Sequence, residues 1–145
     1  MALLIRPLSL ADLSAIDEIQ RQNPAAAQWP PADYLGYRTL VAEHGGALAG
    51  FLAVLDIPPA EVEILNLAVA PRFHRHGVGS ALLNAAGGRV QFLDVRISNH
   101  TAIAFYRRHG FTKCGHRRNY YTRPVEDAIM MRRVLPPQAP GFTGL

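Results

Sequence analysis

Cysteine is almost missing from this 145-residue chain: Cys114 stands alone, which excludes an internal disulfide and fits a reducing compartment. Long apolar runs are missing as well. The longest uncharged one, "GGALAGFLAVL", falls far short of the roughly 20 residues a bilayer span requires. The opening "MALLIRPLSLAD" has no basic region ahead of an apolar one. These absences set the expectation of a cytoplasmic protein with no membrane partner. Internal repeats and low-complexity tracts are lacking too; only the Pro- and Gly-rich ending "PPQAPGFTGL" reads as linker-like. Acidic residues are scarce in one half. Residues 64–145 hold three acids against twelve Lys and Arg, whereas residues 1–63 hold eight acids and three arginines. The net charge of +4 therefore conceals halves of −5 and +9. A basic half suits a polyanion, either a nucleotide cofactor or a nucleic acid, or it simply presents solvated arginines.

What is present suffices for one core: 49% hydrophobic and 18% charged residues predict a single domain over residues 1–135, followed by a flexible tail, 136–145. "LLIRP" reads as a strand. Ser9 and Asp12 then form a capping-box pattern opening a helix with Leu13, Ile16 and Ile19 on one face, which Pro24 stops. A loop and short helix lead to "TLVAEH" and "GALAGFLAVLDI", a hairpin about "HGG", and "VEILNLAV" adds another strand. Beyond Val69 the grammar changes to glycine turn, helix from about Gly79, the break "GGRV" and the strand "VQFLDVRI", which predicts a parallel crossover. A helix from Asn99 to His109 carries Ala102, Ile103 and Tyr106 on one face, with Ser98 or Asn99 as its cap and Gly110 and Phe111 as its stop. "FTKCGHRR" and "DAIMMRRVL" close the domain as a strand pair around a tyrosine-rich loop, "NYYTRPVE". The expected fold is α+β: a mixed, largely antiparallel sheet with a central parallel crossover and helices on both faces.

The stretch "PRFHRHGVGSALL", residues 71–83, carries the strongest functional signal. A helix that starts directly after a strand leaves its first N–H groups unpartnered, and a pyrophosphate satisfies them. Glycine at positions 77 and 79 admits phosphate oxygens to the backbone and permits positive φ, while Arg72 and Arg75 add charge. A plain turn into a helix is the competing reading. There is no third glycine at Rossmann spacing and no Gly-Lys-Ser/Thr, so two other nucleotide-binding motifs are excluded. His74, His76, His109, Cys114 and His116 lack zinc spacing, and no metal is expected.

"LNLAVAPRFHRHGVGSALL" resembles the acetyl-CoA-binding segment of the GNAT superfamily of N-acetyltransferases. "LDVRISNHTAIAFYRRHGF" resembles that superfamily's following strand and tyrosine-bearing helix, and "RRNYY" with "EDAIMM" is similar to one branch, the ribosomal-protein-alanine N-acetyltransferases of the RimI type. The likeness runs from about Glu63 to Leu135. It implies an acyltransferase that uses acetyl-CoA as co-substrate and moves acetyl by direct attack onto the N-terminal α-amine of a protein, a ribosomal protein starting with Ala being the acceptor the branch suggests. Nucleic acid would then enter only through a ribosomal substrate. The resemblance assigns Leu67, Ala68 and Val69 to the strand edge beside the pantetheine arm, and Arg75, His76, Gly77, Val78, Gly79 and Ser80 to the pyrophosphate loop. It places Asn99 on the pantetheine and Tyr106 by the CoA sulfur. His74 departs from the Gln or Arg usual there, and the helix after Gly79 is about two turns short.

A peptide α-amine, with pKa about 7.7–8.0, costs only about 0.5 kcal/mol to deprotonate near pH 7.4, against roughly 4 kcal/mol for lysine. Asp94, the one acid between Glu63 and Glu126, stands where the branch has a glutamate, and is the candidate base or ammonium anchor; an ion pair with an arginine is the alternative. Glu61 and Glu63 are rival bases. Tyr106 is the candidate partner of the leaving thiolate, as hydrogen-bond donor rather than acid, because a phenol of pKa about 10 is a poor proton source for a thiolate of about 8.5. The resemblance implies that Trp29, Tyr120 and Tyr121 border the groove of a peptide acceptor, with core packing of Trp29 and hairpin packing of the tyrosines as the alternative. Two other functions stay open: acetylation of a small amine or lysine side chain, and a non-catalytic module binding CoA or RNA.

Overall fold

The computed structural model describes residues 2–137; of the tail expected over 136–145, residues 138–145 lie outside the described residues. Seven strands, β1 (Leu3–Pro7), β2 (Arg38–His44), β3 (Ala47–Ile57), β4 (Glu61–Val69), β5 (Val90–Arg96), β6 (Thr112–Thr122) and β7 (Val125–Val134), form one sheet in the order β1-β2-β3-β4-β5-β7-β6. All neighbours run antiparallel except β4 and β5, which are parallel. Among the described residues the α-helices are α1 (Leu13–Arg21), α2 (Val78–Ala86) and α3 (His100–Arg108).

Side-chain alternation along the central strands sets which face each helix covers. Gly50 of β3 lies against Val78, where α2 begins, while its neighbour Phe51 turns the other way and meets the Tyr34 ring edge-on at 5.0 Å. Tyr34 is tied by its hydroxyl to Gln20 of α1, so α1 and α2 cover opposite faces. Gln91 of β5 donates to the carbonyls of Leu83 (2.8 Å) and Gly87 (2.9 Å), fixing α2 on the sheet. Arg133 of β7 donates to Gln91 Oε1 (2.9 Å) and to the His109 carbonyl (3.0 Å), which places α3 on the α2 face. Ala42, Ala49, Phe51, Leu52 and Ala53 are fully buried between these layers, which is why β2 and β3 read as near-continuous apolar runs.

Local chemistry explains the element ends. Gly45 and Gly46 both take positive φ (60° and 82°), the requirement of a tight hairpin between β2 and β3. Asn99 Oδ1 accepts the Ala102 N–H at 3.2 Å and starts α3. Gly110 (φ 89°) stops it, with Phe111 N–H donating to the Tyr106 carbonyl at 3.0 Å. The tyrosine-bearing stretch expected as a loop is strand instead: β6 runs to Thr122, leaving Arg123 and Pro124 as the turn. The extra length is absorbed by a bulge, since Arg117 pairs with Ala128 but Tyr121 with Glu126. Asn119 takes φ 50° within it, and its N–H donates to Asp127 Oδ1 at 2.8 Å.

The expected capping box is present and does more than cap. Asp12 accepts the Ser9 N–H (2.8 Å) and hydroxyl (3.1 Å), and both its oxygens pair with Arg6 of β1 at 2.8 Å. Arg6, then burial, then Ser9 set the Asp12 carboxyl, whose net shift is down to about 2. A depressed carboxylate contributes stability above its unfolded pKa and loses it as pH falls through the folded one, so the window runs from about 4 down to about 2. Asp12→Asn is therefore expected to cost about 2 kcal/mol at pH 7. Urea unfolding of both proteins across pH 7 to 2 should show that gap closing toward the acid end.

Candidate active site

The pairing between the two parallel strands stops early. Glu61↔Val90, Val62↔Gln91 and Glu63↔Phe92 are in register, after which β4 continues to Val69 and β5 to Arg96 without pairing to each other. The cause lies on β4's other edge. Against β3, Ala53 pairs with Asn66 but Val54 with Ile64, so Leu65 is an extra residue. A bulge bends its strand and sharpens the local twist, and here it opens a gap between β4 and β5. It also exchanges the faces. Ile64, opposite Val54, shares the α2 face, whereas Asn66 turns to the α1 face and donates to the Tyr34 hydroxyl (2.7 Å) and the Ala27 carbonyl (2.9 Å).

On the α2 face the gap opens into a cavity of about 580 Å³ between the end of β4, the start of α2 and one flank of α3. Its walls include Leu67, Ala68 and Val69, then Arg75, Gly77, Val78, Gly79 and Ser80, and finally Ala102, Phe105 and Tyr106. Gly77 takes φ 74° and precedes a helix with no side-chain cap, whose first internal bond is Ala81 N–H to the Gly77 carbonyl at 3.0 Å. The N–H groups ahead of Ala81 are thus left facing the cavity end, where an anion can take them. Ala70 N–H donates to Ala49 at 2.8 Å, so by antiparallel alternation Val69 and Leu67 turn their backbone groups toward the gap. The Val69 carbonyl is already engaged by Asn23 Nδ2 (3.1 Å) and by His74 Nε2 (3.2 Å). His74, the departure noted in the sequence, thus braces the loop against β4. Tyr106 is buried, burial raises its phenol well above the usual value, and its hydroxyl has no hydrogen-bond partner among the described residues.

The opposite face carries the carboxylates. Gln91 points to α2, so Phe92 and Asp94 point away from it, and Glu63, paired with Phe92, shares their side. Asp94 Oδ1 accepts from Arg117 Nε of β6 at 3.1 Å. Glu63 is half-buried with no hydrogen bond or ion pair among the described residues; burial and then the Asp94 charge raise its carboxyl above the usual range, while Arg117 pulls it down. Tyr121 is pushed up to about 12 by burial and then by Asp94, and its ring lies 4.2 Å under the Arg96 guanidinium. Tyr120 is exposed beside Arg117, at 5.4 Å.

The gap therefore brings together nearly all the expected cofactor residues on one face and Glu63, Asp94, Tyr120 and Tyr121 on the other. Three sit apart. His76 is exposed and packs edge-on against His44 at 5.4 Å; Asn99 caps α3 next to the cavity-lining Thr101 and Ala102; Trp29 stacks on Tyr34 at 4.6 Å beside a second, shallower groove that includes Asp33 and Tyr37. Glu61 is exposed at the paired end of β4. Sequence reasoning missed Asn23, Phe105 and Arg117. Asn23 acts 46 residues away, Arg117 acts 23 away across β7, and no periodicity announces either contact. Among the described residues no cluster of three or more His, Cys, Asp or Glu stands in a metal-binding arrangement.

A family model described as "Acetyltransferase (GNAT) domain" matches residues 36–113. N-alpha-acetyltransferase RimI of Mycobacterium tuberculosis is 34% identical, the alignment covering 89% of this chain and 90% of that protein. Among solved structures, the ribosomal-protein-S18-alanine N-acetyltransferase of Escherichia coli superposes with a TM-score of 0.76 at 29% identity, covering 99% of this chain and 100% of the other. Ard1 from Thermoplasma volcanium superposes with a TM-score of 0.82 at 29% identity, over 94% and 100%.

Within the chain itself the two glycines of the turn meet different constraints. A Cβ on Gly77 would meet no protein atom within 4 Å, and its left-handed φ is the constraint the chain places on it; a Cβ on Gly79 would come within 2.8 Å of the Phe105 ring. Gly77→Ala should cost about 1–2 kcal/mol through backbone strain. Gly79→Ala should cost about 1–3 kcal/mol through overpacking, and adding Phe105→Leu should relieve the second loss but not the first. Urea unfolding of the single and double variants checks this.

Proposed function

The chain belongs to the GNAT acetyltransferase family and is an N-acetyltransferase, and from that premise we propose that it carries acetyl from acetyl-CoA to the N-terminal α-amine of a protein, a ribosomal protein beginning with alanine being the first acceptor to test. The observation that carries this reading is the gap between β4 and β5, with a cavity on one face and two carboxylates on the other. The names of the relatives, which include a [ribosomal protein bS18]-alanine N-acetyltransferase of Escherichia coli, 34% identical over 88% of this chain, support the acceptor. In this reading residues 1–135 act as one acetyltransferase domain.

The cavity's residues fit a CoA thioester. Unpartnered N–H groups at the mouth of α2 and the guanidinium of Arg75 suit a diphosphate, with His76 at the rim, and the gap-facing edge of Leu67, Ala68 and Val69 suits an extended amide-bearing arm, with Asn99 beyond it. When bound, acetyl-CoA supplies an activated acetyl group on a thiol leaving group. Glu63 accepts the amine proton, directly or through one water, since burial keeps its carboxylate more basic than an ordinary glutamate. Asp94 orients the ammonium through Oδ2, the oxygen Arg117 leaves free. Tyr106 stays protonated, because burial raises its phenol, and its unpartnered hydroxyl donates a hydrogen bond to the departing sulfur. Trp29, Tyr120 and Tyr121 flank the peptide's approach on the acceptor face.

Peptides beginning Ala, Ser or Met should turn over, and lysine peptides with blocked N-termini should not; turnover confined to lysine side chains contradicts the acceptor. Tyr106→Phe should lower kcat about 10²-fold with little change in KM for acetyl-CoA, read by thiol release. For Glu63 the sign is fixed by its role: a base fails when protonated, so kcat/KM falls as pH drops through its raised pKa. Glu63→Gln should lower kcat about 10²-fold and abolish that acid limb, leaving the amine's own titration near pH 8.

A further inference from the structure

Two carboxylates face one gap, and a single cation stands between their possible roles. Asp94 and Glu63 share a sheet face, but only Asp94 has an ion-pair partner, Arg117, which reaches it from β6 across the intervening β7. The reach depends on local backbone. Asp94 pairs with Met130 and Met130 with Gly115, where a Cβ would come within 2.9 Å of the methionine sulfur. Glycine at 115 therefore lets Met130 lie flat between the strands. Arg117 follows two residues on, immediately before the bulge at Asn119, with its guanidinium 5.4 Å from the Tyr120 ring.

We propose that Arg117 is a positioning residue that divides labour between the two carboxylates: it holds Asp94 as an ion-paired anchor and leaves Glu63 as the one free to take the amine proton. The proposal rests on the reading of Glu63 as proton acceptor given above. Without Arg117, neither of the two anions facing the gap would have an ion-pair partner among the described residues, and either could take the first proton. With it, Asp94 stays ionised and fixed, and its charge keeps Glu63 more basic while Arg117 limits how far that goes. The charges that act on Glu63 are those of Asp94 and Arg117; Glu61 lies two residues away on its own strand, its partner on β3 is the apolar Leu55, and Arg96, Tyr120 and Glu126 group with Asp94 about Tyr121. Arg117 is 46% exposed and Asp94 14%, so the pair contributes little to folding, and its removal is a test of chemistry rather than of stability.

The test is a side-chain carboxyl ¹³C NMR titration of the apo-protein, Glu63 assigned by Glu63→Gln, in wild type, Arg117→Gln, Arg117→Lys and Asp94→Asn, with kcat/KM measured against pH on an Ala-initial peptide. Arg117→Gln should move the Glu63 midpoint to higher pH and lower the ratio of rates at pH 6 and pH 8 by about threefold. Arg117→Lys should restore both, Asp94→Asn should move the midpoint down, and thermal unfolding should stay unchanged throughout. A Glu63 midpoint that ignores Arg117→Gln while Glu63→Gln abolishes the acid limb overturns this proposal alone. A second acid limb, below the amine's own titration near pH 8, that survives Glu63→Gln overturns both this proposal and the assignment of the base.

Discussion

The structure depends on one extra residue in β4. Leu65 has no partner on β3, and the bend it introduces parts β4 from β5 three residues after their pairing begins. A continuous parallel ladder would have sealed the centre of the sheet and left the helices on its two faces with no passage between them. The interruption leaves the Leu67 backbone groups and the Val69 N–H on a strand edge inside the protein, a place where unpaired donors and acceptors are costly unless a ligand or water takes them, while Asn23 and His74 take the Val69 carbonyl. The bulge also reverses the side-chain alternation of β4. Glu63 therefore lies on the face away from the cavity although Leu67 and Val69, at even spacing from it, line the cavity.

Around that gap the rest of the fold is bracing. Gln91 fastens α2 to β5, Arg133 ties β7 to α3, and the packing of Phe105 against Gly79 draws α3 close enough to wall the cavity. On the other face Gln20, Tyr34 and Asn66 form a buried polar set that locks the segment before β2 against β4. Burial and its hydrogen bonds leave the Tyr34 phenol at about 12, so it remains a neutral donor over the working pH range. Loss of any one of these braces would act on the site through its geometry rather than its chemistry.

Much of this was legible in the sequence because it is local. The Ser9 and Asp12 box, the Gly45-Gly46 hairpin, the Asn99 cap, the Gly110 stop and the short helix ended by Gly87-Gly88 each follow from residue chemistry within a few positions, and each stands in the structure. The family was legible through a resemblance whose motifs recur in order. What the chain did not reveal depends on contacts between distant positions or on one-residue slips. The bulge at Leu65 flips faces without any change in composition, and the two extra residues about Asn119 let β6 run on through a stretch, "NYYTRPVE", that read as a loop; Glu61 and Glu63 share a face and differ only in burial, which no spacing announces. The pairing of Asp94 with Arg117 rather than with nearby Arg96 follows from β6 lying beyond β7, with Arg96 occupied by the Tyr121 ring.

The central claim is that the reaction crosses the sheet at this gap. A crystal structure with a bisubstrate in which CoA is joined to an Ala-initial peptide tests it most directly. The account predicts the diphosphate against residues 75–80, the linkage passing between β4 and β5 beyond Glu63 and Phe92, and the peptide nitrogen on the Glu63 and Asp94 side. A peptide bound on the same face as the diphosphate, or a diphosphate seated elsewhere, would contradict it.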